Sequence, residues 1–169
     1  MIQHTVQQAT QADLDCLLPL YRAAAARPDC PWDETYPDAA TLQADLAEGR
    51  LFCAKDPEGR VMGAYALTFH DEGTEALTFW DRRLEPAGEV VRLLVAASCE
   101  NQGLGGRLLA DAVARLARRG CRSCRILVAH DNHRALRAYA GQGFARVGSA
   151  RLYDIDFECF EKALEGETI

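Results

Sequence analysis

The sequence predicts a mixed α/β fold, and three observations carry that reading. The first half holds strand patterns joined by a short turn, while the second half alternates strand, helix, strand, helix and strand. Two short apolar runs, "EVVRLLVA" (Glu89–Ala96) and "RILVA" (Arg125–Ala129), read as buried central strands. The chain has 169 residues, 49% hydrophobic and 26% charged, enough for one ordinary core, so residues 1–169 are expected to form a single domain.

The elements follow in order. Residues Ile2 to Gln7 can form a first strand. Gln11 to Ala26 carries Leu14, Leu17, Leu18 and Tyr21 at helical spacing, which predicts an amphipathic helix. The loop "RPDCPWDETYPDAA" is rich in proline, and Asp38 or Thr41 can cap a short helix that runs to Ala47. Leu51–Lys55 and Arg60–Phe69 flank the turn "DPEGR" and read as a hairpin. A loop containing Trp80 leads to the central strand Glu89–Ala96. Leu108, Leu109, Ala112, Val113 and Leu116 then form a helical stripe that ends at Gly120. After Arg125–Ala129 comes a short helix, His133–Ala140, closed by Gly141. "GFARVG" starts a strand, and "RLYDIDFECF" alternates Tyr153, Ile155 and Phe157 with acids, as one half-solvated antiparallel strand would.

Charge and composition remove several classes of function. A net charge of −6 argues against a nucleic-acid surface and favours a cationic small partner. No apolar run reaches the length of a signal peptide or a membrane span, so a cytoplasmic protein is expected. The seven cysteines are scattered. Cys121-Arg-Ser-Cys124 has the spacing of half a zinc site, but no second pair follows. They read as reduced thiols, and no metal is expected.

The stretch "ENQGLGGRLL" (Glu100–Leu109) raises a specific question, because Gly103, Gly105 and Gly106 stand directly before a helix they weaken. A strand that runs through glycines into a helix offers unpaired N–H groups at the positive end of the helix dipole, and phosphate fits there. The spacing matches neither a P-loop nor the GxGxxG dinucleotide fingerprint. A tight turn that merely packs a helix is the bland alternative.

Further along, "NHRALRAYAGQGF" sets Asn132, Ala135 and Tyr139 on one helical face before Gly143-Phe144. Together with "LLVAASCENQGLGGRLL", this resembles the GNAT superfamily of acetyl-CoA-dependent N-acetyltransferases, most specifically over Glu89 to Phe144. The resemblance implies a single central, mixed, mostly antiparallel twisted sheet with helices on both faces. It implies that Asn101, Gln102, Gly103, Leu104, Gly105 and Gly106 cradle the pyrophosphate of coenzyme A. Leu93, Leu94 and Val95 would offer strand backbone to the pantetheine. Asn132 would contact the cofactor arm or cap its helix. Arg107, Arg134 and Arg137 would reach the adenosine phosphates. Glu100 stands where the family usually has Gln or Arg, a departure that brings a negative charge beside a pyrophosphate.

Acetyl transfer to an amine needs a neutral nucleophile, a donor to the developing oxyanion and a proton for the departing thiolate. The N–H of Val95 fits the family's oxyanion donor. Tyr139 is the candidate thiolate donor. Glu89 is the candidate base, with Arg92, His70 or a water chain as rivals. By strand alternation Glu89, Val91, Leu93 and Val95 should share one face. His130 and His133 read as polar surface or caps. For the acceptor, "CPWDETYPD" concentrates Trp32 and Tyr36 beside Asp33 and Glu34, which suits a cationic amine; Trp32 anchoring that loop in the core is the bland alternative. The expected function is N-acetylation of a primary amine on a small molecule or peptide, with a homodimer allowed. A catalytically silent acyl-CoA-binding module of the same fold is the alternative.

Overall fold

The computed structural model describes residues 3–165, so Ile2 of the expected first strand lies outside them. That strand, β1, runs Thr5–Gln8. Helix α1 (Gln11–Ala25) follows at once, with the Thr10 N–H donating to Asp13 Oδ2 at 2.8 Å. Asp38, not Thr41, is the cap of α2 (Ala39–Ala47): its carboxylate accepts from the Thr41 N–H at 2.8 Å. The hairpin is β2 (Leu51–Lys55) with β3 (Val61–Thr68).

The stretch read as a plain loop around Trp80 contains a one-turn helix, α3 (Glu72–Glu75), capped by Asp71, whose Oδ1 accepts from the Thr74 N–H at 2.9 Å. Trp80 is buried; its Nε1 donates to the Thr74 carbonyl at 2.8 Å, and the Arg125 guanidinium lies 4.8 Å from its ring centre. The central strand β4 is Ala87–Val95, and helix α4 is Leu104–Arg118. β5 (Ser123–Ala129) and α5 (His133–Tyr139) complete the alternating half.

The C-terminal pattern differs from expectation. "RLYDIDFECF" is not one strand: the chain reverses at Tyr153-Asp154, between β6 (Ala145–Leu152) and β7 (Ile155–Ala163). Both turn residues have positive φ, +55° and +62°. Such a two-residue hairpin turn ordinarily announces itself as Asn-Gly or Asp-Gly, and Tyr-Asp hides it.

The strands form one sheet in the order β1-β2-β3-β4-β5-β7-β6, antiparallel throughout except for β4 with β5. Leu17 and Tyr21 of α1 and Leu42 of α2 pack on one face with Leu51, Ala64, Ala66 and Leu94. Leu104, Leu108, Leu109, Ala112 and Leu116 of α4 pack on the other with Tyr65, Leu67, Val90 and Ile126, and α5 joins that side. The sheet is therefore covered on both faces, as a mixed, mostly antiparallel fold requires.

Candidate active site

The site begins with a bulge in β4. Ala64 pairs with Leu94 and Ala66 with Val91, so β4 spends one residue more than β3 between the same two rungs. Arg92 takes up the excess with φ +52°. Three elements hold it there. The Tyr21 hydroxyl donates to the Arg92 carbonyl at 2.6 Å, the Arg92 side chain forks onto Asp45 of α2, and Arg92 Nη1 donates to the Tyr36 hydroxyl at 2.9 Å.

The bulge overturns the expected shared face. Val91 and Leu94 pack on the α1 side, whereas Val90, Leu93 and Val95 pack on the α4 side. Glu89 and Val91 therefore face opposite to Leu93 and Val95, because the extra residue inverts the alternation beyond Arg92.

Beyond the bulge the sheet opens. β4 pairs with β5 over Ala87–Glu89 and Ser123–Arg125 alone among the described residues. Past these rungs the two strands bound a cleft of about 740 Å³, with Val91 to Val95 on one wall and Ile126 to Ala129 on the other. The Ala96 N–H donates to the Met62 carbonyl at 2.9 Å on β3. By antiparallel alternation the N–H of Val95 then turns away from β3, towards the gap.

Gly105 at the start of α4 lines one end of the cleft, with Asn132, Ala135, Ala138 and Tyr139 of the α5 segment. Gly103 caps α4 in the left-handed conformation, φ +78°, which explains one glycine by backbone alone. A Cβ on Gly106 would lie 2.8 Å from Gln142 Nε2, so that glycine permits close packing and faces no ligand space. Gly105 has room, its nearest atoms being Val95 Cγ2 at 3.6 Å and Ala138 Cβ at 3.7 Å. Of the expected phosphate loop, Asn101, Gln102 and Gly103 are exposed beside the cleft, Leu104 is buried in the core, and Arg107 is half-buried on α4. Only Gly105 of this loop lines the cleft itself.

Glu100 is balanced by charge. It pairs with Arg27, and with Arg134 Nη1 at 2.8 Å. Asn132 does cap α5, its Oδ1 accepting from the Ala135 N–H at 3.2 Å, and it also lines the cleft. Tyr139 is half-buried against the α4 core, and its hydroxyl meets no hydrogen-bond partner among the described residues. Burial pushes this phenol well above the usual tyrosine range, so it stays protonated.

Glu89 lies at the other end of the cleft, 8% exposed, with Thr74 Oγ1 donating to its Oε1 at 3.3 Å. Burial, helped by the negative charge of Asp71, raises this carboxyl to about 8. Arg92 cannot act as a base: burial opposes its charge, but the Asp45 carboxylate more than compensates and raises its pKa above the usual arginine value. His70 is exposed beside Glu75 and does not line the cleft. His130 is also outside, paired with Glu158 at 3.0 Å. Trp32 and Tyr36 both line the Glu89 end, and Trp32 also packs its ring, tilted, against the core residue Tyr21 at 5.2 Å, so the loop is anchored as well as cleft-facing. Asp71, Thr74, Tyr153 and Phe157 line this end too and were not legible as site residues. The sole sequence hint was the aromatic–acid alternation around Tyr153.

Residues 16–144 match the profile of the Acetyltransferase (GNAT) family, well over half of the chain. The chain belongs to the GNAT acetyltransferase family. It is 31% identical over 99 residues to a mycothiol acetyltransferase of Stackebrandtia nassauensis, a match covering 59% of this chain and 29% of that longer protein. Among solved structures, a GNAT-family acetyltransferase from Streptococcus agalactiae superposes with a TM-score of 0.81 at 15% identity, covering 98% of both chains. A phosphinothricin acetyltransferase from Sinorhizobium meliloti, solved in complex with acetyl-CoA, gives a TM-score of 0.76 at 20% identity, covering 98% of this chain and 91% of that one. These two share the fold.

Proposed function

We propose that this GNAT acetyltransferase moves an acetyl group from acetyl-CoA to a primary amine by direct attack within a ternary complex. One observation carries the reading. The gap between β4 and β5 offers strand backbone without a strand partner, and it joins the N-terminus of α4 to a buried carboxyl at the opposite end. A pantetheine arm, with its two amides, suits such a gap, and a pyrophosphate suits the N–H groups around Gly103 to Gly106. Leu93, Leu94 and Val95 would hold the arm, Asn101 to Gly106 the phosphates, and Arg107 and Asn132 would flank them. The room at Gly105 fits this assignment. Acetyl-CoA-bound relatives of the same fold support it.

When bound, acetyl-CoA supplies an activated acetyl thioester; the chain's residues do the rest. Glu89 accepts a proton from the substrate ammonium, and its pKa of about 8 narrows the gap to an alkylamine near 10. The freed nitrogen lone pair attacks the acetyl carbon. The Val95 N–H donates to the acetyl oxygen as negative charge builds there. As the C–S bond breaks, the Tyr139 hydroxyl protonates the sulfur; the nitrogen gives up its remaining extra proton to solvent, and the phenolate takes one back from solvent. Trp32 and Tyr36 form the acceptor wall.

The test is turnover of acetyl-CoA against a panel of primary amines, with free thiol and N-acetyl product counted in parallel. Equal amounts of both support the reading. Cofactor binding without either product in excess of the hydrolysis blank contradicts it.

A further inference from the structure

The acceptor end of the cleft has an uneven charge balance. Four arginines line the cleft, and each already has a carboxylate: Arg27 and Arg134 share Glu100, Arg92 holds Asp45, and Arg50 holds Glu48. Asp71 and Glu89 have no cation within 4.0 Å among the described residues. Glu89 is more than nine-tenths buried and still lines open space, with the Thr74 hydroxyl as its one hydrogen-bond partner among the described residues. Asp71 spends Oδ1 on capping α3, which leaves Oδ2 uncommitted.

Tyr153 is the second anomaly. It is 72% exposed and sits in a left-handed conformation at the hairpin tip, a costly place for an aromatic residue that contributes little to the core. Its hydroxyl lies 3.0 Å, and Asp71 Oδ1 lies 3.3 Å, from the point a Cβ on Gly73 would occupy. The β6–β7 hairpin and the α3 turn thus bring a phenol and a carboxylate to one spot at the mouth of the cleft.

We propose that Asp71, Tyr153 and Glu89 form the subsite for the acceptor nitrogen, and that the acceptor enters as an ammonium on a body without a carboxylate. The proposal deepens the amine-acetylation reading above and rests on it. Asp71 holds the ammonium at the mouth, the Tyr153 ring covers it by cation–π contact, and Glu89 takes its proton further in. A carboxylate on the acceptor would find every cleft arginine already paired and would meet Asp71 as a like charge.

Several charged or titratable groups face Glu89: Arg92 on its own strand, Cys124 and Arg125 of β5, Cys159 of β7, Tyr153 of the hairpin, and Asp71. Burial pushes both thiols up, and burial does the same to the Tyr153 phenol, so Asp71 is the one anion among them at neutral pH. Loss of its charge makes Glu89 easier to ionise. The acid limb of kcat/KM, which rises as Glu89 ionises, must then move to lower pH.

The experiment compares phenethylamine with phenylalanine as acceptors, in the wild type, Asp71→Asn and Tyr153→Ala. Asparagine caps helices as well as aspartate, so the first variant keeps α3. In the wild type, kcat/KM for phenethylamine should exceed that for phenylalanine by roughly 10²-fold, the size of an unpaired charge in a partly buried site. Asp71→Asn should weaken phenethylamine by roughly tenfold, both in KM and in the calorimetric Kd measured on the coenzyme A complex. Its acid limb should move to lower pH while coenzyme A affinity holds. Tyr153→Ala should weaken the amine alone. Equal use of phenylalanine, or an Asp71→Asn variant with unchanged KM, Kd and acid limb, overturns the subsite. A wild type that acetylates no amine overturns the broader reading as well.

Discussion

Arg92 grips Asp45 with two parallel hydrogen bonds, Nε to Oδ2 at 2.8 Å and Nη2 to Oδ1 at 2.6 Å. This fork, made by side chains 13% and 4% exposed, ties α2 to the bulge that opens the cleft. Fork geometry suits Arg and not Lys, and breaking it strands a buried guanidinium. Asp45→Ala should therefore cost about 3 kcal/mol of stability, read by denaturant unfolding. It should also weaken coenzyme A binding, because the bulge loses its clamp. A variant as stable as the wild type would show that the fork contributes nothing net.

Glu100 carries a second prediction. Its carboxylate neutralises Arg27 and Arg134 at the edge of the proposed phosphate loop. Glu100→Gln keeps the side chain's shape and releases both cations towards the anion. Coenzyme A should bind roughly fivefold more tightly at low salt, the size of a part-exposed charge interaction, and the gain should shrink as salt rises. Weaker binding in calorimetry would mean that the pairs act by positioning the arginines.

Gly105 offers a cleaner probe of the loop. A Cβ there meets only ordinary contacts, so Gly105→Glu should fold with a near-normal melting temperature. Its carboxylate would fill the anion's place and repel it, and coenzyme A binding should vanish in the same titration. Wild-type affinity would put the phosphates elsewhere.

The legibility of this chain divides along physical lines. Helices α1 and α4 and the strands β2 to β5 were readable because apolar spacing reports burial directly. The glycine loop and Tyr139 stood out because their family resemblance lies in contiguous sequence, and Gly105 and Tyr139 line one cleft. The bulge at Arg92 was not, since its cause is distant: Tyr21, Tyr36 and Asp45 hold that residue across the fold. The Tyr153-Asp154 turn was missed because a tyrosine with positive φ is rare and no glycine marks the reversal. Asp71 joined the site only when the structure folded α3 against Glu89, a contact no local pattern encodes. Leu104, expected at the phosphates, spends its side chain on the core, as an apolar residue in the first turn of α4 should.

If the cleft transfers the acetyl group and does not merely bind its carrier, Tyr139 must have a chemical role there. Tyr139 lines the cleft and packs on the α4 core, and its hydroxyl has no hydrogen-bond partner among the described residues. Tyr139→Phe keeps the ring and removes the proton donor. The measurement is the single-turnover rate of acetyl transfer from acetyl-CoA to an accepted primary amine, which excludes slow product release. A fall of roughly 10²-fold is expected, with coenzyme A affinity and melting temperature near wild type. An unchanged single-turnover rate would contradict it and leave Tyr139 as a packing residue.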